Sequence, residues 1–315
     1  MSLIKKSTQT CRAVTRALRR MLKFLVRLLT RKSELERLIR KAIAEESRGH
    51  SARHLVKNIA RSLATSSQLA EIKAIVFGKQ PFVVEELATQ IANEKQIHND
   101  DVISRLTWCL KVLSTTNIVH QRVGELQRTS YDPANPEHVA QLELLWESLR
   151  PESRREDWGE LGFQNGKVPQ SDFRGMGMLG LHQLVYFAEH RTREAQVILN
   201  ESTNPKRYFP FAAAGINITA FTVTMLEQRR LESCIYDALV KRMPSGCQGD
   251  SWPNEETLVS AGVAAFNDFY GEEYVKFSRF WHESLPESTM AFPGIFRTIK
   301  QRSNSKFPPL LADEE

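Results

Sequence analysis

WGELGFQNGKVPQSDFRGMGMLGL, Trp158–Leu181, sets one arginine, Arg174, between an acid at Asp172 and glycines at Gly175, Gly177 and Gly180. An aromatic-and-glycine segment, Trp158–Gln164, precedes it. Glycine has no Cβ, so a second surface can come close to such a backbone. On spacing alone the arginine has two readings. One is a structural ion pair with Asp172. The other is a cation presented to another molecule. Formally, Gly175-Met176-Gly177 with Gly180 also spells G-x-G-x-x-G. No strand precedes it, and the acid expected about 20 residues on is unconvincing, so a dinucleotide loop is a poor reading.

The flanking sequence is helical in period. After the motif, Met178, Leu181, Val185 and Ala188 fall on one stripe. Thr192 is placed to cap the next helix, which buries Ala195, Ile198 and Leu199. Phe209–Leu226 is the most apolar run, and its Asn217 and threonines mark a core helix rather than a membrane span. Phe266, Phe269, Tyr270, Phe277 and Trp281 make an aromatic helical face suited to core packing. Before the motif, Asn135-Pro136-Glu137 combines a capping side chain, a first-turn proline and an acid. Val139, Leu142, Leu145, Trp146 and Leu149 follow on one face, and Pro151 stops that helix.

Towards the N-terminus, Ser33-Glu34-Leu35-Glu36 has the form of a capped start. Breaks are expected at Gly49 and at Thr65-Ser66-Ser67. Val84, Leu87 and Ile91, then Ile103, Leu106, Leu110 and Leu113, predict two helices around Asn99-Asp100-Asp101. No alternating strand pattern appears anywhere, so the fold class is all-α. Gln301–Glu315 is polar, then PPLL, then acidic, and is expected to be disordered.

Composition is that of an ordinary globular chain: 315 residues, 41% hydrophobic and 25% charged. The net charge of +6 is unevenly spread, because ten of the 43 basic residues precede Ser33 with no acid among them. The rest carries 33 basic residues against 37 acidic, so the body is mildly acidic. Arg12, Arg16, Arg19, Arg20, Lys23 and Arg27 recur at helical steps opposite Val14, Leu18, Met21, Leu25 and Leu28. This predicts a basic amphipathic helix over residues 1–32, of the kind that lies in a membrane interface. Three other readings compete. The helix docks on its own protein, it is an Arg-rich mitochondrial presequence, or it binds nucleic acid. The last is weakest, since a narrow stripe without interleaved aromatics is a poor nucleic-acid footprint.

Enzyme signatures are missing. There is no P-loop, no G-x-S-x-G and no H-E-x-x-H; His282-Glu283 lacks the second histidine. The four cysteines, Cys11, Cys109, Cys234 and Cys247, have no metal spacing and fit a reducing compartment. No metal site is expected.

The ordered set Trp158, Gly162, Phe163, Gln164, Pro169, Asp172, Phe173, Arg174, Gly175 and Gly177 resembles the signature of the ELMO-domain family, W-x3-G-F-Q, proline, then D-F-R-G-x-G. Leu144-Leu145-Trp146, Leu184-Val185-Tyr186-Phe187, Ala214–Thr219 and Phe280-Trp281 extend the likeness over roughly Tyr131–Lys300. One departure is the four-residue stretch Asn165-Gly166-Lys167-Val168 before Pro169, where three with an acid are expected. The resemblance implies a compact helical ELMO domain over 131–300. Ahead of it come a helical region, 33–130, and the basic helix, 1–32. A disordered tail, 301–315, follows.

It also implies GTPase activation towards Arf and Arf-like GTPases, in which Arg174 acts in trans as an arginine finger. GTP and magnesium then belong to the partner, and the chain needs no cofactor of its own. Asp172 orients Arg174 or caps the following helix, with capping favoured. Gln164 touches the partner or makes an internal hydrogen bond, the latter favoured. Trp158, Phe163 and Pro169 set the motif in place, and Gly175 and Gly177 permit close approach. Engulfment-type relatives imply an alternative, a non-catalytic scaffold in nucleotide-exchange complexes. The expected location is cytoplasmic and peripheral to membranes. If the arm acts at an interface, the protein will sediment with anionic liposomes, less so as salt rises or when residues 1–32 are deleted. Salt-independent binding contradicts the electrostatic part.

Overall fold

A computed structural model describes Met21 and residues 31–46, 54–153, 157–243 and 251–310. The cations Arg12, Arg16, Arg19, Arg20, Lys23 and Arg27, and the break at Gly49, lie outside these residues. All regular structure among the described residues is helical, as the sequence period requires. None of their helices is long and apolar enough to cross a membrane. They divide into two units, with the change at Ser114/Thr115.

The first unit starts with α1 (Glu34–Glu46), whose first turn is capped where the sequence places it: Ser33 Oγ accepts from Glu36 N at 3.1 Å. α2 (Leu55–Thr65) buries Leu55, Val56, Ile59, Ala60, Leu63 and Ala64 along one stripe. A 3₁₀ turn, Ser67–Leu69, and α3 (Ala70–Val76) follow the expected break. α4 (Val84–Lys95) ends at Gln96 in the left-handed region, φ 55°, and α5 (Asp100–Arg128) begins after Asn99, whose Oδ1 accepts from Val102 N at 3.0 Å. Arg105 grips Glu46 through two bonds, 3.1 and 2.6 Å, which joins α5 to the end of α1. Cys109 is buried beside them, and burial pushes its thiol far above the ordinary range. It is a core side chain, as its isolation in the sequence suggests.

The second unit takes the later part of α5, then α6 (Pro136–Leu149), α7 (Gly177–His190), α8 (Thr192–Ser202), α9 (Phe211–Glu227), α10 (Glu232–Arg242), α11 (Glu255–Glu283) and α12 (Phe292–Lys306). Asn135 caps α6, accepting from Glu137 N at 2.9 Å. α9 is the buried axis. A Cβ on its Gly215 would lie 2.6 Å from Leu184 Cδ2 of α7 and 2.7 Å from the Tyr270 hydroxyl of α11. Glycine is therefore what lets these three helices meet. Around that crossing, Phe187 stacks on Tyr274 at 5.2 Å, and Tyr274 donates its hydroxyl to Phe211 O at 2.5 Å. Phe277 packs edge-on to Phe209 at 5.2 Å, and Trp281 Nε1 donates to Arg207 O at 2.9 Å. The aromatic face foreseen on α11 is core, worth roughly 3–5 kcal/mol per ring against truncation to alanine.

Two details differ from the sequence reading. Thr192 does not cap α8; the preceding residue holds that position, and Thr192 Oγ1 donates back to Glu189 O at 2.9 Å. Gln301–Lys306 are helical, Phe307 packs edge-on to Phe269 at 5.2 Å, and Leu310 is buried, so order continues past Gln301. The cause is Arg230, whose Nη1 donates to Asn304 O and Phe307 O at 3.0 and 2.9 Å and satisfies the end of α12.

His182 on α7 lies against Asn267, whose amide is 3.3 Å from its Nε2. Burial holds its pKa below the ordinary 6.5, with Glu189 opposing the shift. The unfolded chain then binds a proton that the folded one resists, so stability is complete above the unfolded value and falls as pH drops below it. Urea denaturation at about pH 7.5 and 5.5 will show this loss, reduced in His182→Gln.

Candidate functional site

The segment between α6 and α7 has little regular structure, yet its bonds leave it few freedoms. Asp157 Oδ1 accepts from Gly159 N at 2.6 Å, and Trp158 N donates to Gly166 O at 3.0 Å, which closes a loop. A Cβ on Gly166 would fall 1.5 Å from Asp157 Oδ1, so the closure needs a glycine there. Asn165 Oδ1 accepts from Lys167 N and Val168 N at 3.1 and 3.2 Å. The unexpected length at Asn165–Val168 is thus taken up in a self-contained Asx turn. Pro169 is buried and opens a 3₁₀ helix, Pro169–Gly175, that carries the arginine.

Buried rings fix this turn. Trp158 meets Trp146 edge-on at 5.8 Å and Phe163 at 6.0 Å; Phe163 meets Phe173 at 5.7 Å; Phe173 contacts Tyr131 at 6.0 Å. The first three are favourable T-shaped geometries and the last is tilted; such pairs are worth roughly 0.5–1.5 kcal/mol each beyond burial. Trp158 and Phe163 are both buried within this series of rings.

Two motif glycines lie against backbone. Gly162, at φ 78°, would put a Cβ 2.2 Å from Phe211 N, and its carbonyl accepts from Ala213 N at 3.2 Å. Gly177, at φ 52°, would put one 2.4 Å from Gln127 O and 2.4 Å from Thr129 O, while Met178 N donates to Thr129 O at 2.8 Å. Its close approach is made to α5 of its own chain, not to a second molecule. Gly175 is different. It is exposed, and a Cβ there would meet nothing within 4 Å.

Asp172 neither pairs with Arg174 nor caps α7. Its Oδ2 accepts from Gln164 N at 2.7 Å and its Oδ1 lies 3.4 Å from the Ser171 hydroxyl. The carboxylate ties the two halves of the motif together, whereas α7 starts after Met176 without a side-chain cap. Sequence spacing misses this bond because the partners are eight residues apart. The Gln164 side chain is exposed and makes no hydrogen bond among the described residues; its backbone N–H is engaged instead, and the internal side-chain bond expected of it is not seen there.

Arg174 is exposed. Its Nε donates to Ser171 O at 2.9 Å, one turn back. Its two terminal nitrogens have no partner among the described residues, and it forms no ion pair with Asp172. The guanidinium is thus held by its inner edge, and its outer edge faces water. A planar cation presented this way can take two oxygens of a carboxylate or phosphoryl group at once.

The three motif glycines should separate cleanly on substitution. Gly177→Ala and Gly162→Ala are expected to cost well over about 1 kcal/mol, through positive φ and carbonyl or amide overlap. Gly175→Ala should leave the thermal midpoint within about one degree of the parent. Scanning calorimetry on the three variants checks both.

The profile of the ELMO/CED-12 family matches residues 121–296. ELMO domain-containing protein B of Dictyostelium discoideum is 33% identical over 252 residues, 76% of this chain and 78% of that protein. ELMO domain-containing protein 2 of Homo sapiens is 31% identical over 238 residues, 73% of each chain. ELMO domain-containing protein 1 of Bos taurus is 31% identical over 249 residues, 70% of each. No solved structure matches the chain. The matched span contains the aromatic ladder, the arginine turn and most of the helices that carry them, and the chain belongs to the ELMO/CED-12 family.

Proposed function

We propose that this protein stimulates GTP hydrolysis by an Arf-family GTPase, with Arg174 entering the partner's active site in trans. It is then a regulator, and the nucleotide and magnesium belong to the GTPase. The observation that carries this reading is the state of Arg174: exposed, anchored through Nε, and open along its outer edge. Phosphoryl transfer accumulates charge on oxygens, and a preorganised guanidinium stabilises it at little entropic cost. The turn beneath the arginine is fixed by buried rings and by the Asp172–Gln164 bond. Gly175 keeps the adjacent surface low, so a partner's loops meet backbone and no side chain. The exposed amide of Gln164 belongs to the same motif and is free to contact them. The basic segment over residues 1–32, with its cations and apolar residues at helical steps, adds a weak membrane contact, and two weak contacts together prolong residence beside a lipidated GTPase.

Single-turnover GTP hydrolysis by Arf and Arf-like GTPases tests the reading. Wild type is expected to accelerate at least one of them, with Arg174→Ala losing roughly 10³-fold or more. Arg174→Lys should fail nearly as badly, since an ammonium has neither the Nε anchor nor the fork. Gly175→Val should fold normally and stimulate poorly. Equal stimulation by wild type and both arginine variants eliminates the finger. Binding without any stimulation favours a scaffold.

A further inference from the structure

A groove of about 690 Å³ runs in the second unit between α8 and the last turns of α11. Its bed is apolar: Val197, Ile198, Val275 and Leu285 line it, with Val197 53% and Leu285 64% exposed. Large aliphatic side chains this exposed, side by side along one groove, are uncommon without something to cover them.

The same groove concentrates unpaired cations. Arg193, Arg207 and Arg279 line it, all exposed, and none of their guanidinium groups has a partner among the described residues. The acids there are partly engaged. Glu194 is bonded to Arg191, whereas Glu201, 3.5 Å from His282 Nε2 without a hydrogen bond to it, and Glu283 keep their charges. Three free guanidinium groups against two such carboxylates leave the groove net positive, which favours an anion.

Ser278 is 2% exposed and lines the groove, yet its hydroxyl has no hydrogen-bond partner. His282 Nε2 is buried in the same wall and also makes no hydrogen bond. Buried polar atoms are normally satisfied, and leaving one unmade costs roughly 1–3 kcal/mol. Both atoms lie beneath the surface of the groove, so contact with a ligand falls to the three exposed guanidinium groups and the aliphatic side chains.

We propose that this groove binds a single-chain anionic amphiphile: an alkyl chain on the Val197–Leu285 bed, and a phosphate-monoester or carboxylate head against the guanidinium groups of Arg193, Arg207 and Arg279. The volume falls within the range of ordinary ligand sites. Guanidinium groups donate to either head bidentately. The site uses none of the residues of the arginine turn, so its test is independent of GTP hydrolysis.

Isothermal titration of the full chain with dodecyl phosphate, below its micelle threshold, provides the test. Dodecanoate, dodecyl maltoside and inorganic phosphate serve as companion probes. Saturable one-to-one binding of either anionic probe is expected. It should weaken about tenfold in Arg279→Ala and in Arg193→Ala, and similarly in Val197→Asp. These positions are on the surface, so circular dichroism and the thermal midpoint should stay at wild-type values. The stronger of the two anionic probes identifies the head group. The proposal is overturned by no saturable binding, by wild-type affinity in all three variants, or by equal binding of dodecyl maltoside. Equal affinity for inorganic phosphate overturns it too, because the apolar bed would be idle. Arginine-dependent binding of a helical Leu/Glu peptide of about 18 residues, with no binding of the amphiphiles, reassigns the groove to protein docking and overturns the lipid reading.

Discussion

The contact between Phe163 and Phe173 is the constraint on which the turn carrying Arg174 depends. Those rings belong to loops separated in sequence by an Asx turn and a proline, and they meet edge-on at 5.7 Å. Trp158 and Trp146 extend the contact into α6, and Tyr131 extends it the other way. A segment with only short 3₁₀ turns thereby acquires the rigidity of a helix. The Asp172–Gln164 bond works on the same pair of loops from the outside. Rings supply the apolar area and the carboxylate sets the register. Without both, an arginine on a short turn would sample many orientations.

The rest of the second unit serves this arrangement by packing. α9 is apolar on nearly every face because helices surround it, and Gly215 is the point where α7 and α11 come closest. Buried charge is handled by pairing. Glu232, 1% exposed, receives Arg229 at 2.8 Å and lies 3.3 Å from His120. Glu273 accepts from Ser303 at 2.6 Å and from Lys276 at 2.8 Å. Removing one partner from such a pair leaves a stranded charge, which is far more costly than the pair is stabilising.

Much of this was legible in the residue order. Period-3.6 stripes locate α4 through α7, and the Asn135-Pro136-Glu137 start and Pro151 stop bound α6 closely. The burial of Trp158, Phe163 and Phe173 follows from aromatics in a segment poor in other apolar side chains. Less legible were bonds between residues that are distant in sequence or conformationally unusual. No spacing rule gives Asp172 to the amide of Gln164. None says that Gly177 packs against carbonyls of its own chain while Gly175 packs against nothing, because both read simply as glycine. The order beyond Gln301 depends on Arg230, more than 70 residues earlier, so a polar composition alone pointed the wrong way.

The hold on Arg174 through Nε alone has a kinetic meaning. In many proteins a surface arginine sits in an internal salt bridge that must break before an incoming anion can take its place, and that opening step slows capture. Here the outer nitrogens already face solvent. Capture of an oxyanion by this side chain is therefore governed by diffusion and ionic strength, with no internal latch to release first.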